Sequence, residues 1–413
     1  MKKSRISHLL FLIGAIGLCL QWLVLKALHV ELPLIAQALL PGISVFGAAF
    51  LLSWAAELAQ MEIPQALALA FVALVAVLPE YAVDMYFAWK AGKDPLYVSY
   101  AAANMTGGNR LLIGAGWGMV VIAYWLKTRK KGIALDRGQR LELLALLAAT
   151  IYSFVIPLKH SLSLIDSAVL LFIFAFYMLG AARSETVPEE MEEGPAEWLS
   201  HGPRPLRIAA TLGLFALAAW TIFQAAQPFA EGLLAIGRHW GVEEFLLVQW
   251  LAPLASESPE FIVAILFALR NRPSSGIGAL VSSKVNQWTL LVGMLPIAYA
   301  MSSHSLHGMP LDARQVEEMI LTSAQSVFAI ILICDLDLSL YDGLTLLVLF
   351  LIPFIETGTT LRLISAGLYL VLSALLLMGR SATRQGLKDT LREGLVRLKL
   401  RKAGGQHSGH PPL

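Results

Sequence analysis

Long apolar runs separated by short polar interruptions dominate this chain, at about 8–28, 33–60, 64–91, 97–126, 141–157, 162–182, 206–237, 243–270, 275–300, 313–334, 340–355 and 361–379. A helix needs roughly 20 apolar residues to cross a hydrocarbon core, and most of these runs approach or exceed that length. The pattern predicts an all-α polytopic membrane protein with about twelve transmembrane helices. Composition agrees: 57% of the 413 residues are hydrophobic and 15% are charged, with a mean hydropathy of +0.67, which excludes a soluble globular domain. The two cysteines, Cys19 and Cys334, offer neither a disulfide framework nor a metal site.

The net charge of +2 matters less than where the cations fall. Lys2, Lys3, Arg5, the group from Lys127 to Arg140, Arg270, Arg272 and the carboxyl-terminal tail come to one side of the membrane. Lys93, Lys159 and Arg238 come to the other. The positive-inside rule therefore predicts an even number of crossings, with both termini cytoplasmic, in the cell (inner) membrane. Met1–Arg5 and the apolar run after it could also be read as a signal peptide, whose removal would invert the topology. The run is long and no small-residue cleavage site follows, so it is read as an uncleaved helix.

Residues 183–205, with six glutamates and four prolines, form the natural linker between two halves. The expected division is an extra helix at 1–32, a first repeat at 33–182, the acidic cytoplasmic linker, a second repeat at 206–355, an extra helix at 356–379 and a basic tail at 380–413. Each repeat holds five spans, an odd number, so the second enters the membrane in the opposite sense: the repeats are expected to be inverted. In the tail, leucines three or four apart with cations between them predict an amphipathic helix on the anionic inner leaflet.

The halves share a motif. Pro79-Glu80 recurs 180 positions later as Pro259-Glu260, each inside an apolar run. An acid at a helix centre costs roughly 2.5–3.5 kcal/mol on insertion scales, so two in one frame point to an ion path. Each proline also removes a backbone donor, which frees the carbonyls of Val75 and Ala255. Asp84 shares a helix face with Glu80, and Glu257 with Glu260. Polar clusters follow in both halves, Asn104-Met-Thr-Gly-Gly-Asn109-Arg110 and Ser282-Ser283-Lys284-Val-Asn286-Gln287, leading into Leu111-Leu-Ile-Gly114 and Leu290-Leu-Val-Gly293.

On these motifs the chain resembles the sodium/calcium exchanger membrane region of the cation/calcium exchanger superfamily, as a divergent member. Ala255-Ser256-Glu257-Ser258-Pro259-Glu260 stands where that family has G-T-S-x-P-E, and Gly278 to Gln287 where it has G-N-x-x-G-S-N-x-F-N/D. The first half keeps Leu78-Pro79-Glu80 but has Ala76 and Val77 for Thr-Ser. The resemblance implies Glu80 and Glu260 as the central metal ligands, Ser256 and Ser283 as hydroxyl ligands, and Gln287 at the Asn/Asp position. Asp84, Glu257, Asn104, Asn109 and Asn286 are further candidates for the ion site, although membrane amides also serve as helix-to-helix glue. Lys284 stands for a usual asparagine; it and Arg110 are read as charge-tuning. With Glu80, Asp84, Glu257 and Glu260 ionised, four negative and two positive charges leave minus two, enough for one divalent or two monovalent cations.

The expected function is a secondary active cation antiporter working by alternating access, with calcium and sodium as the ions. A proton-coupled or other-cation antiporter, or a non-transporting scaffold or sensor of the same fold, is the alternative. No ATP-binding, hydrolase or zinc-protease signature is present, so no enzyme activity, resident cofactor or nucleic-acid partner is expected. The partners are inorganic cations and the lipid bilayer.

Overall fold

A computed structural model gives the fold over residues 2–59, 61–62, 78–182, 194–355 and 358–399. Helices dominate: α1 (Lys2–Ala27), α2 (Leu34–Ala59), α3 (Leu78–Ala91), α4 (Leu96–Leu111), α5 (Gly118–Thr128), α6 (Arg140–Ser153), α7 (Val155–Lys159), α8 (Leu164–Ala181) and α9 (Pro195–Ser200) in the first half of the chain. The second half adds α10 (Arg204–Trp240), α11 (Glu244–Leu269), α12 (Pro273–Asn286), α13 (Val292–Ser303), α14 (Ala313–Ile333), α15 (Leu340–Ile355), α16 (Thr359–Gly379) and α17 (Ser381–Lys399).

Among the described residues, eight helical stretches are long and apolar enough to cross a bilayer. α11 makes a ninth, although it bends by 55° between Glu244–Ser258 and Glu260–Leu269. The remaining predicted stretches are helical too, but they are shorter or more polar. The start of the third, with Val75, Ala76 and Val77, lies outside the described residues. α12 and α13 are interrupted by polar side chains and a π-helical turn at Gln287–Leu291, and α15 is short. Length and apolarity alone thus support eight or nine spans where twelve are expected.

Local chemistry sets several helix starts. Ser163 and Asp166 form a capping box at the start of α8, and Asp312 and Gln315 do the same for α14. Each satisfies backbone donors that the first turn leaves open. α2 and α10 lie side by side over much of their length. They approach closely where Gly42 seats the Phe229 ring: a Cβ at Gly42 would lie 2.8 Å from it.

The two halves interlock around the motif helices. α3 packs on α4 and also on α13, and α11 packs on α12 and also on α4. Two short antiparallel ribbons join the halves as well. β1 (Gly132–Ala134) pairs with β4 (Asp337–Ser339), and β2 (Ser161–Leu162) with β3 (Met309–Pro310). Helices α6 and α7 run between β1 and β2, and α14 between β3 and β4, so one ribbon closes each end of that helix pair.

The described part of the linker is not bare chain, since α9 packs on α1 and α2. The tail helix α17 does more than carry charge. It packs on α6, where the buried Arg140 guanidinium donates to Cys334 O (3.3 Å), Gly386 O (3.0 Å) and Thr390 Oγ1 (3.0 Å) and faces Glu393 at 3.1 Å. Residues 183–193, 356–357 and 400–413 of the expected linker, extra helix and tail lie outside the described residues.

Candidate ion-binding site

The site forms where helix geometry is interrupted. α11 bends between Ser258 and Glu260, α12 passes into its π-turn at Gln287, and α4 passes into another at Leu112–Trp117. Such turns open the backbone ladder and are frequent at functional sites. Glu80, Leu112, Ser256, Glu257, Glu260, Ser283 and Gln287 line one small cavity, with room for little more than a single water-sized or ion-sized particle. Both halves contribute: Glu80 and Leu112 from the first, the rest from the second.

Glu80, Ser256, Glu257 and Gln287 are buried, and Glu260 and Ser283 half-buried. Gln287 Nε2 donates to Glu257 Oε1 at 2.9 Å, which fixes the amide and leaves its oxygen open. Glu80 Oε1, Glu257 Oε2, Glu260 Oε2 and Gln287 Oε1 have no hydrogen-bond partner among the described residues. Buried oxygens in this state are costly, and a cation or protons on the carboxylates would satisfy them. Ser256 Oγ donates back to Ala252 O (3.2 Å) and Pro253 O (3.3 Å), so its lone pairs remain for a ligand. Among the described residues no three acidic, histidine or cysteine side chains already form a metal-gripping cluster. The candidate ligands line one cavity without being drawn together.

Gly108 separates the two key carboxylates. A Cβ there would lie 2.5 Å from Glu257 Oε1 and 3.0 Å from Glu80 Oε1. A side chain there would have to displace the ends of both carboxylates.

The other expected site residues stand around the cavity. Asp84, fully buried one turn along α3 from Glu80, accepts from Asn104 Nδ2 at 2.9 Å. Asp84 Oδ2 and Asn104 Oδ1 have no partner among the described residues. Asn109 holds Lys284: the amine donates to Asn109 Oδ1 at 2.7 Å and to its backbone oxygen at 3.1 Å. Asn286 is buried but does not line the cavity. Arg110 turns away, to Glu318 of α14 at 2.9 Å and over the Trp250 ring. Its charge is therefore neutralised outside the cavity. Counted as all ionised, the four carboxylates and Lys284 leave minus three where the sequence bookkeeping has minus two.

Sequence reasoning did not single out Leu112 or Glu318, and it named Gly108 only as the first-half position opposite Gln287. Leu112 carries no chemical signal. Gly108 is half of a Gly-Gly pair inside a polar cluster, and Glu318 is an acid within an apolar run, the same signal that marks Glu80.

With this geometry in hand, comparison with known proteins is informative. The family model described as "Sodium/calcium exchanger protein" matches residues 32–182 and 210–354. Among solved structures, the chain is similar to the crystal structure of an H+/Ca2+ exchanger, CAX. It is 43% identical, with a TM-score of 0.91 over 96% of this chain and 99% of that one. A Ca2+/H+ antiporter protein, YfkE, shares the fold at 14% identity, with a TM-score of 0.59 over 88% of this chain and 99% of that one. The sodium-calcium exchanger NCX_Mj does so at 19% identity, with a TM-score of 0.52 over 78% of this chain and 98% of that one. No curated protein matches.

Proposed function

The chain belongs to the sodium/calcium exchanger protein family, and from that premise we propose that it is a proton-coupled antiporter of a divalent cation, with calcium the first choice. That it is a membrane transporter and not an enzyme, and a secondary active cation antiporter, follows from membership. The observation that carries the finer reading is the cavity between the halves, lined by three glutamates each with an unpartnered oxygen. Proton coupling takes precedence over the sodium coupling expected from sequence because the structure with the higher identity is that of an H+/Ca2+ exchanger.

Calcium takes six to eight oxygens at 2.3–2.6 Å. Glu80, Glu257, Glu260, Ser256, Ser283 and the Gln287 oxygen supply enough if they close around it. On the return step protons would occupy the same carboxylate oxygens, so that ion and proton exclude one another. Asp84 and Asn104 would act as a polar step next to Glu80.

Twelve crossings in two inverted five-helix repeats, as expected from sequence, fit the ribbons: the link between the third and fourth helices of one repeat pairs with the link between the fourth and fifth of the other, in both directions. The packed pair α2 and α10 would then tilt or slide against the motif helices to expose the site to either side. Charge bias supports cytoplasmic termini in the cell membrane.

Competition between proton and calcium is directly measurable. Calcium should raise the melting temperature of the purified protein at pH 8 and do so less at pH 6, through linkage to the folded state. Glu260→Gln should remove the response. A calcium effect of equal size at both pH values would count against proton competition, and no effect at either would count against the site.

A further inference from the structure

Lys284 is 0% exposed, and its partners are unusual for an amine in a membrane. It donates to two oxygens of Asn109, and it stands 4.3 Å from the centre of the Trp288 ring. No carboxylate among the described residues pairs with it directly. Two carbonyl-type oxygens and an aromatic face are the partners a desolvated monovalent cation accepts. Asn109 is fixed for the purpose, since its Nδ2 donates to Met105 O at 2.8 Å and its Oδ1 is thereby committed to the amine.

The amine also stands next to the ion cavity. Ser283 and Gln287, one residue before and three residues after Lys284, both line it. A simple link between α12 and α4 would need only an amide or hydroxyl, without the cost of burying an amine.

We infer that Lys284 is a built-in plug: its amine fills a monovalent-cation position beside the divalent site and so makes exchange indifferent to sodium. The inference rests on the antiport reading above. The Asn109 oxygens are consumed by the amine, so a sodium ion finds no ligands there. Exchange is left to a divalent ion and to protons on the cavity carboxylates. Removing the amine while keeping Asn109 should open a sodium position.

The test uses the full chain in proteoliposomes, with calcium uptake driven by a pH gradient in sodium or in choline, beside melting curves in the same salts. Wild type should behave alike in both. Lys284→Gln, or Lys284→Met if the first fails to fold, should melt higher in sodium. Its calcium uptake should fall by about tenfold when sodium is at about ten times its dissociation constant. Adding Asn109→Ala should abolish the sodium response. Calcium uptake by wild type driven by a sodium gradient, or a folded Lys284→Gln indifferent to sodium in both assays, would overturn the inference. If wild type takes up no calcium under any gradient, the antiport reading fails, while the melting curves still report on the sodium position.

Discussion

Gly108 and Glu318 show how narrowly single side chains are constrained here. A methyl group at Gly108 would displace the flexible end of Glu257 and crowd that of Glu80. Gly108→Ala should therefore keep the protein folded but push the carboxylates apart. The expected outcome is loss of calcium-dependent stabilisation with only a modest drop in melting temperature. Glu318 carries the charge of Arg110 within the helix bundle. Removing one partner of a buried pair typically costs about 3–5 kcal/mol, because the other charge is left unpaired. Glu318→Ala should lower thermal stability sharply, and Glu318→Gln, which keeps an acceptor, less so. A scan in which Glu318→Ala melts like wild type would contradict the pairing. At this scale the sequence was legible where chemistry is rare for its surroundings: acids in apolar runs, repeated in frame. Partner choice was not legible. Arg110 and Lys284 look equivalent as buried cations, yet one turns to Glu318 and the other to Asn109.

At the scale of elements, charge fixes how helices are tied at their ends. Glu62, beyond the end of α2, meets Arg204 at 2.9 Å and Arg207 at 2.5 Å, both in the first turn of α10. The two guanidiniums hold its carboxyl below the usual carboxylate range, Arg207 most strongly. An acid whose folded pKa is depressed stabilises the fold above its unfolded pKa and ceases to do so as pH falls through the folded one. The difference in melting temperature between wild type and Glu62→Gln should thus be full at neutral pH and shrink below about pH 4. A pH-independent difference would refute the clamp. Arg140 ties α17 to α6 and to the end of α14 in the same manner. Arg140→Ala should release the tail, seen as faster proteolysis within Ser381–Lys399 while calcium uptake is retained. Helix positions followed from apolar runs because a bilayer rewards continuous apolar length. The π-turns did not, since Leu112–Trp117 reads as ordinary helix and its geometry depends on packing such as Phe261 against Gly116. Amphipathicity marked α17 as a helix, but its docking face is built from Thr383, Gly386, Thr390 and Gly394, small or modest side chains at helical spacing that carry no apolar signal.

For the whole molecule, interlocking of the halves matters most. Each motif helix packs on a helix of the other half, and each ribbon pairs one half with the other. Neither half can close the cavity alone, which suits a carrier whose site is made and unmade by relative motion. The doubled Pro-Glu motif made this pairing legible, whereas the coupling ion was not. Sodium and proton coupling both draw on buried carboxylates, and on the reading proposed here the difference turns on the Asn109 oxygens that the Lys284 amine occupies. The decisive measurement is radiolabelled calcium uptake into proteoliposomes under a pH gradient without sodium, beside a sodium gradient without a pH difference, for wild type and Glu260→Gln. Uptake driven by the pH gradient, absent under sodium and lost in the variant, is the expected result. Uptake driven by sodium alone, or uptake that survives Glu260→Gln, would contradict proton-coupled exchange through this site.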